Sequence, residues 1–184
     1  MRILAISGSL RRDSHNTALL RAAAELLPAG VDLEIYDALK QLPPYDEDET
    51  VRPDAVQHLW DAVESADAVL ISTPEYNSSI PGQLKNALDW LSRPLIESPL
   101  RNKPSLVVGA STGMFGAVWA QAETRKVLKA IGSRVVDQEL PVALADEILA
   151  DGAITDEEIE QALVARIEEL AEAVKAREAK RAAA

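Results

Sequence analysis

The chain has 184 residues, of which 47% are hydrophobic and 27% charged, and its formal net charge is -11. This length and composition predict one globular domain spanning residues 1–184, with fraying only at about 178–184. The charge disfavours nucleic acid and anionic membranes as partners, and the absence of cysteine excludes disulfides, thiolate metal sites and a cysteine nucleophile.

The remaining composition predicts neither a metal site nor a secreted protein. His15 and His58 are the two histidines, too few for a metal cluster. The amino terminus lacks the apolar region of a signal peptide, so we expect a cytoplasmic protein. Residues 104–122 are uncharged over nearly the length of a membrane span, but glycines at their middle favour a strand, a loop and a helix start instead.

Apolar runs of strand length alternate with stretches of helical spacing along the whole chain. Strands are predicted at 3–7, 33–36, 68–73, 105–110 and 134–136, and helices at 16–27, 53–65, 82–91, 117–131 and 156 to about 177. The last helix begins with a capping-box pattern, in which Thr155 would cap the helix and Glu158 would reach back.

The central strands are continuously apolar, as is typical of parallel strands buried on both faces. The alternation therefore predicts an α/β, flavodoxin-like three-layer sandwich: a five-stranded parallel sheet of order 2-1-3-4-5 with helices on both faces. In such a sheet the carboxyl ends of strands one, three and four border the ligand crevice. The loops at those ends are 8–15, 74–81 and 111–116.

The first of these loops has the chemistry of a phosphate site. It leads into a helix whose free amides favour an anion, and Ser9, Ser14, Asn16 and Thr17 carry groups that donate to phosphate oxygens. Arg11 would add a charge-assisted contact. The alternative is that Ser14 or Asn16 merely caps the helix. Neither the dinucleotide nor the P-loop glycine pattern is present, which favours a mononucleotide.

The other two loops suit a planar heterocycle. Pro74 and Pro81 stiffen the second loop, and Tyr76 and Asn77 offer a flat face and an amide. The alternative is a surface turn in which Tyr76 covers the core. In the third loop two glycines allow close approach of backbone amides to a ligand, and Met114 and Phe115 line the entrance or face a partner subunit.

Three motifs together resemble a known family. They are Gly8-Ser9-Leu10-Arg11 with Ser14 and Asn16, then Pro74-Glu75-Tyr76-Asn77, then Ser79 with the stretch 81–93. This combination is similar to the NAD(P)H-dependent FMN reductases, a flavodoxin-like group that includes quinone, chromate and azo reductases.

The resemblance implies noncovalently bound FMN and NADPH or NADH as the electron donor. It places the FMN phosphate near Ser9, Arg11, Ser14, Asn16 and Thr17, the ring and ribityl parts near Pro74, Glu75, Tyr76 and Asn77, and the ring's other side near Ser111 and Gly113. It also implies a homodimer or homotetramer, with Lys85, Asn86, Asp89, Trp90 and Arg93 at the interface or a neighbouring site.

Two positions bear on the choice of donor and acceptor. Arg93 is our candidate for contact with the NADPH phosphate, with a surface salt bridge as the alternative. Trp119 stands where the family often has arginine.

The function expected from the resemblance is an FMN-dependent oxidoreductase. It would pass hydride from NAD(P)H through FMN to a small acceptor such as a quinone, free flavin, azo compound or chromate, and because the flavin carries the chemistry we expect no catalytic side chain. The alternatives are a flavin-binding electron carrier or redox sensor without its own turnover, and a flavin-free scaffold.

Overall fold

Strands and helices alternate along residues 1–150 and 152–183, which are the residues that this computed structural model describes. In chain order the elements are β1 (Arg2–Ser7), α1 (His15–Glu25), β2 (Asp32–Tyr36), a 3-10 helix (Leu39–Gln41), α2 (Asp54–Ser65), β3 (Ala68–Ser72), α3 (Gly82–Leu91), β4 (Pro104–Ala110), α4 (Val118–Ile131), β5 (Arg134–Val135), β6 (Pro141–Val142), α5 (Ala145–Ile148), β7 (Leu149–Ala150), β8 (Ala153–Ile154) and α6 (Glu157–Ala182).

The main sheet is parallel and has the order β2-β1-β3-β4-β5, which confirms the predicted flavodoxin-like fold. Every residue of β3 and β4 is buried. One side of the sheet packs against apolar residues of α2, α3 and α4, and the other against α1 and α6. The strands are continuously apolar because helices cover both faces. Within the described residues, no helix combines the length and hydrophobicity needed to cross a bilayer.

The fifth strand position is divided between two short strands, where one strand was predicted. β5 pairs with the start of β4, and β6 pairs with its end. The fully buried side chain of Gln121 fastens the second part, because its Nε2 donates to the carbonyl of Gly116 (2.9 Å) and its Oε1 accepts from the amide of Leu140 (3.1 Å). The sequence pattern also missed the small β7–β8 hairpin and the one-turn helix α5.

The predicted cap of the last helix is wrong by one residue. Asp156, not Thr155, is the N-cap, and its carboxylate accepts from the amides of Glu158 (2.9 Å) and Ile159 (3.1 Å). The hydroxyl of Thr155 instead contacts the carbonyl of Ile148 (3.2 Å).

The same helix also ends later than predicted. α6 continues to Ala182, beyond the expected end near residue 177 and through most of the segment predicted to fray. Its last turns are tied to the body of the protein, because Arg177 donates to the carbonyl of Asp67 (3.1 Å). Ala184, the end of the segment predicted to fray, lies outside the described residues.

Gly116 is required by close packing between the loop before α4 and β6. Its φ is +55°, and a Cβ there would lie 2.5 Å from the carbonyl carbon of Pro141. We expect Gly116→Ala to lower the free energy of unfolding by about 2 to 4 kcal/mol, from strain at positive φ and from the steric clash. Gly30→Ala is the matched control, because Gly30 has φ +84° with open space around it. Equal losses in urea unfolding would contradict this packing argument.

Lys103 provides a test that depends on pH. Its buried Nζ donates to the carbonyls of Glu64 (3.1 Å) and Ala66 at the end of α2. Burial is the main cause that lowers the pKa of Lys103 from its ordinary value of 10.5 to about 8. Between these pH values the unfolded chain binds a proton that the folded chain releases, so this group makes the free energy of unfolding rise with pH.

We expect Lys103→Met to remove that contribution, measured by urea unfolding at a series of pH values between about 8 and 10. Lys126→Met, at an exposed position of α4, is the control. The same pH slope in wild type and in Lys103→Met would contradict the expectation.

Candidate functional site

One buried side chain joins the carboxyl ends of the central strands to the first helix. Asn16, in the first turn of α1, donates through Nδ2 to the carbonyl of Ala110 (2.9 Å). Its Oδ1 accepts from the amide of Ala110 (3.0 Å) and from Oγ of Ser72 (2.8 Å). Asn16 was predicted to contact phosphate, but these three bonds leave its side chain a single N–H for a ligand. Its observed role is to hold β3, β4 and α1 together.

A cavity of about 170 Å³ lies at this edge of the sheet and is bordered by all three predicted loops. Most of the predicted cofactor residues line it, namely Ser9, Arg11, Ser14, Asn16, Pro74, Glu75, Tyr76 and Ser111. His15, Ala110 and Thr112 also line it, and the sequence analysis did not predict them.

Three predicted cofactor residues do not line this cavity. The hydroxyl of Thr17 donates to Oγ of Ser7 (2.9 Å), and Thr17 faces a neighbouring cavity instead. Asn77 follows Tyr76 at the tip of its loop, and Gly113 lies beyond Ser111.

The first loop presents free donors to an anion. Ser14 is the N-cap of α1, and its Oγ accepts from the amide of Thr17 (3.3 Å), which leaves its own hydroxyl hydrogen available. The backbone amides of residues 12–16 have no acceptor among residues 1–150 and 152–183. The positive end of the helix adds to this field. Capping and anion binding are therefore compatible here.

The second loop is a tight hairpin. Tyr76 and Ser79 exchange backbone hydrogen bonds of 3.2 and 3.1 Å. Asn77 and Ser78 between them have φ values of 54° and 58°, as the two central residues of a type I′ turn require. Tyr76 is 47% exposed, so the alternative that it simply covers the core is wrong.

Glu75 fastens the second loop to the helix that follows the third. Its Oε2 accepts from the amides of Trp119 (3.0 Å) and Ala120 (3.1 Å). Ala117, the N-cap of α4, has no side-chain oxygen, so Glu75 supplies the missing cap from another loop. The absence of a capping residue before α4 was the available sequence signal. The carboxylate predicted to face the cofactor is thus committed to a helix terminus.

Two exposed aromatic rings stand at the start of α4. Phe115 and Trp119 have ring centroids 5.0 Å apart and are 63% and 46% exposed. Met114 beside them is 80% exposed. This apolar surface adjoins the third loop.

A wider cleft of about 330 Å³ adjoins the phosphate side through Arg11 and Tyr76. Gly8, Leu10, Pro81, Gly82 and Gln83 complete its lining. FMN has a phosphate at one end and a flat ring at the other. The hydroxyls, free amides and arginine of the phosphate side match the first, and the mainly apolar cleft matches the second. The residues present therefore fit the cofactor that the resemblance implies.

The far end of α3 is separate from this site. Asn86 and Trp90, expected at an interface, hold the chain's own loop, because both side chains donate to the carbonyl of Pro43 (2.8 and 2.9 Å). Asp89 pairs with Lys85 (2.7 Å) one turn away.

Arg93 also lies at this far end of α3. It lines a different cavity, of about 270 Å³. The helix of 10 residues puts Arg93 about 15 Å from the cleft at Gly82.

Comparison with known proteins agrees with this geometry. The family described as NADPH-dependent FMN reductase matches residues 1–147. An NAD(P)H-dependent FMN reductase of Pseudomonas aeruginosa is 45% identical over 130 residues, covering 70% of this chain and 69% of that protein. A 2-hydroxy-1,4-benzoquinone reductase of a Burkholderia species is 38% identical over 161 residues, covering 86% and 87%.

The solved structure of FerB, a flavoenzyme NAD(P)H:(acceptor) oxidoreductase of Paracoccus denitrificans, superposes with a TM-score of 0.84 at 33% identity and covers 96% of this chain and 98% of that one. Fold, loop chemistry and sequence similarity over most of the chain agree, and the protein belongs to the NADPH-dependent FMN reductase family.

Proposed function

We propose that this protein is an FMN-dependent oxidoreductase that passes hydride from NAD(P)H through bound FMN to a small planar acceptor of the quinone type. The observation that carries the proposal is the meeting of three loops at one sheet edge, with free donors beside an open cleft. Membership of the reductase family and the benzoquinone reductase among the relatives support it.

When bound, the flavin supplies the redox chemistry, accepting a hydride and releasing two electrons to an acceptor. The chain's first loop would hold the phosphate, with the free amides of residues 12–16 and the hydroxyls of Ser9 and Ser14 as donors. Arg11 borders both the phosphate cavity and the ring cleft, so its guanidinium would offset the negative charge of the phosphate. These contacts bind and orient, and none of them requires a proton to move.

The second loop would hold the ring, and the third loop would close the adjoining phosphate cavity. The exposed Tyr76 offers an aromatic face, and Asn77 at the hairpin tip offers an amide with donors and an acceptor. Ser111 borders the other side of the phosphate cavity. Because Glu75 ties the hairpin to α4, these groups sit on a fixed support, which favours binding one ring orientation.

The exposed rings of Phe115 and Trp119 favour a planar apolar acceptor. A quinone stacks on such rings, whereas a small hydrated oxyanion gains little from them. The aromatic side chain at position 119 therefore supports quinones over chromate as the acceptor class.

The proposal is tested by the visible spectrum of the purified protein, supplied with FMN, before and after anaerobic addition of NADPH. We expect flavin absorbance that NADPH bleaches and that a benzoquinone then restores. Flavin reduced only by a protein partner would indicate an electron carrier instead. Failure to bind FMN would overturn the proposal.

Asn77 allows a sharper test, because different substitutions remove its side-chain amide with and without adding strain at its positive φ. Asn77→Gly keeps the positive φ but removes the amide, and we expect FMN affinity to fall about five- to tenfold with little loss of stability. Asn77→Ala adds strain at positive φ of about 1 to 2 kcal/mol. The readouts are quenching of FMN fluorescence on titration and urea unfolding.

Ser78→Gly is the matched control for this pair of variants. Ser78 has the same left-handed conformation in the same turn but no assigned contact with the cofactor. We expect its FMN affinity to equal that of the wild type. If Asn77→Gly also binds FMN as the wild type does, the assignment of the Asn77 amide is wrong.

A further inference from the structure

A second polar cavity, of about 440 Å³, lies on the other side of the first loop from the phosphate cavity. We call it the β2-side cavity, because it opens at the carboxyl ends of β1 and β2. Its lining is Ser7, Ser9, Leu10, Arg11, Thr17, Arg21, Ile35, Tyr36, Asp37, Leu39 and Lys40. The proposed FMN contacts account for Ser9 and Arg11 but leave the rest of this cavity without a role.

The β2-side cavity concentrates positive charge in a strongly acidic chain. Arg11, Arg21 and Lys40 face a single carboxylate, Asp37. Among the described residues, none of these three cations lies within salt-bridge distance of a carboxylate. The chain as a whole carries -11. Unpaired cations gathered around hydroxyls in such a chain indicate a local site for an anion.

The cations come from elements that are held in place. Arg21 lies one helical turn after Thr17 on α1, and Thr17 is bonded to Ser7 of β1 (2.9 Å). Lys40 lies in the 3-10 helix after β2. Gln83 of α3 fixes that segment by donating to the carbonyls of Leu39 (2.8 Å) and Leu42 (3.1 Å). The positive charges therefore come from two elements, α1 and the 3-10 helix, that hydrogen bonds hold in place.

The β2-side cavity adjoins the proposed redox site. It shares Ser9 and Arg11 with the phosphate cavity, and Leu10 and Arg11 with the ring cleft. In the strand order β2-β1-β3-β4, two strand spacings, about 10 Å, separate it from the loops after β3 and β4. A dinucleotide in an extended conformation is longer than this distance, so one molecule reaches both places.

We propose that the β2-side cavity binds the adenosine 2′-phosphate of NADPH and so gives the protein a preference for NADPH over NADH. This inference rests on the proposed function. NADPH carries a phosphate dianion where NADH carries a hydroxyl, and Arg21 and Lys40 are the cations that distinguish them. Asp37 opposes the dianion. This site replaces Arg93, which lies in a separate cavity beyond α3.

The first experiment measures kcat/KM for both donors with a benzoquinone as acceptor. We expect Arg21→Ala and Lys40→Ala each to lower the value for NADPH about three- to fivefold, through KM, and to leave NADH unchanged. Asp37→Asn should raise it for NADPH. Added salt should raise the KM for NADPH more than that for NADH.

Two control variants separate this site from general effects of charge. Lys126→Ala removes an exposed cation of α4 that does not line the cavity, and it should change kcat/KM for neither donor. Arg93→Ala tests the competing site. A loss of NADPH preference in Arg93→Ala but not in Arg21→Ala would overturn the inference. So would a loss of NADH turnover in Asp37→Asn, which would make Asp37 a partner of the ribose hydroxyls.

The second experiment does not depend on turnover. Calorimetric titration of the FMN-loaded protein uses 2′,5′-ADP, which carries the distinguishing phosphate, and 5′-AMP, which lacks it. We expect 2′,5′-ADP to bind more tightly, and the Arg21→Ala, Lys40→Ala double variant to lose that difference. Equal binding of 2′,5′-ADP to wild type and double variant would overturn the inference.

The two experiments also distinguish the inference from the proposed function. Oxidation of NADPH and NADH with equal efficiency would refute the inference and leave the reductase function standing. Selective binding of 2′,5′-ADP without oxidation of either donor would refute the reductase function and leave the 2′-phosphate site standing.

Discussion

The site depends on the buried amide of Asn16. β-Strands that end side by side do not by themselves fix the loops that follow them, and Asn16 does so by pairing with both backbone groups of Ala110 and with Ser72. Each of these bonds is worth about 1 kcal/mol, and leaving the two buried backbone groups of Ala110 without a partner would cost more. The first turn of α1 is therefore fixed to the end of β4. The amides just before it are then aimed at the same edge from which the other two loops emerge.

A second set of contacts makes the cofactor loops parts of one support. The hairpin that carries Tyr76 and Asn77 is connected to α4 twice, by Glu75 at the helix terminus and by Ser79, whose hydroxyl donates to Glu123 (2.5 Å). The second loop and the entrance to α4 thus move together. Groups that would contact one ligand from two directions hold their relative positions without the ligand, which reduces the entropy lost on binding.

Patterns within the sequence were sufficient for the layout, and contacts between distant residues account for most of the errors. The buried parallel strands and their order follow from continuous apolar runs that alternate with helices, and the loops at the strand ends follow from that order. The role of Asn16 depends on a residue 94 positions away, and that of Glu75 on residues 44 and 45 positions away. No local periodicity reports such pairs. The split fifth strand has the same origin, because the amide of Leu140 donates to Gln121, 19 positions away. The cap at Asp156 is different: its bonds to the amides of Glu158 and Ile159 are local, and two adjacent residues, Thr155 and Asp156, both carry a side chain that caps helices.

The uneven burial of the three tryptophans gives the protein an optical handle on this site. Trp60 and Trp90 are each only 6% exposed within the core, whereas Trp119 is 46% exposed beside the third loop. A water-soluble collisional quencher such as acrylamide therefore reaches one indole far more readily than the other two. The quenchable part of the emission comes from the surface beside the third loop, while the protected part reports on the interior. Native fluorescence in this molecule separates events beside the third loop from changes in the core without an added label.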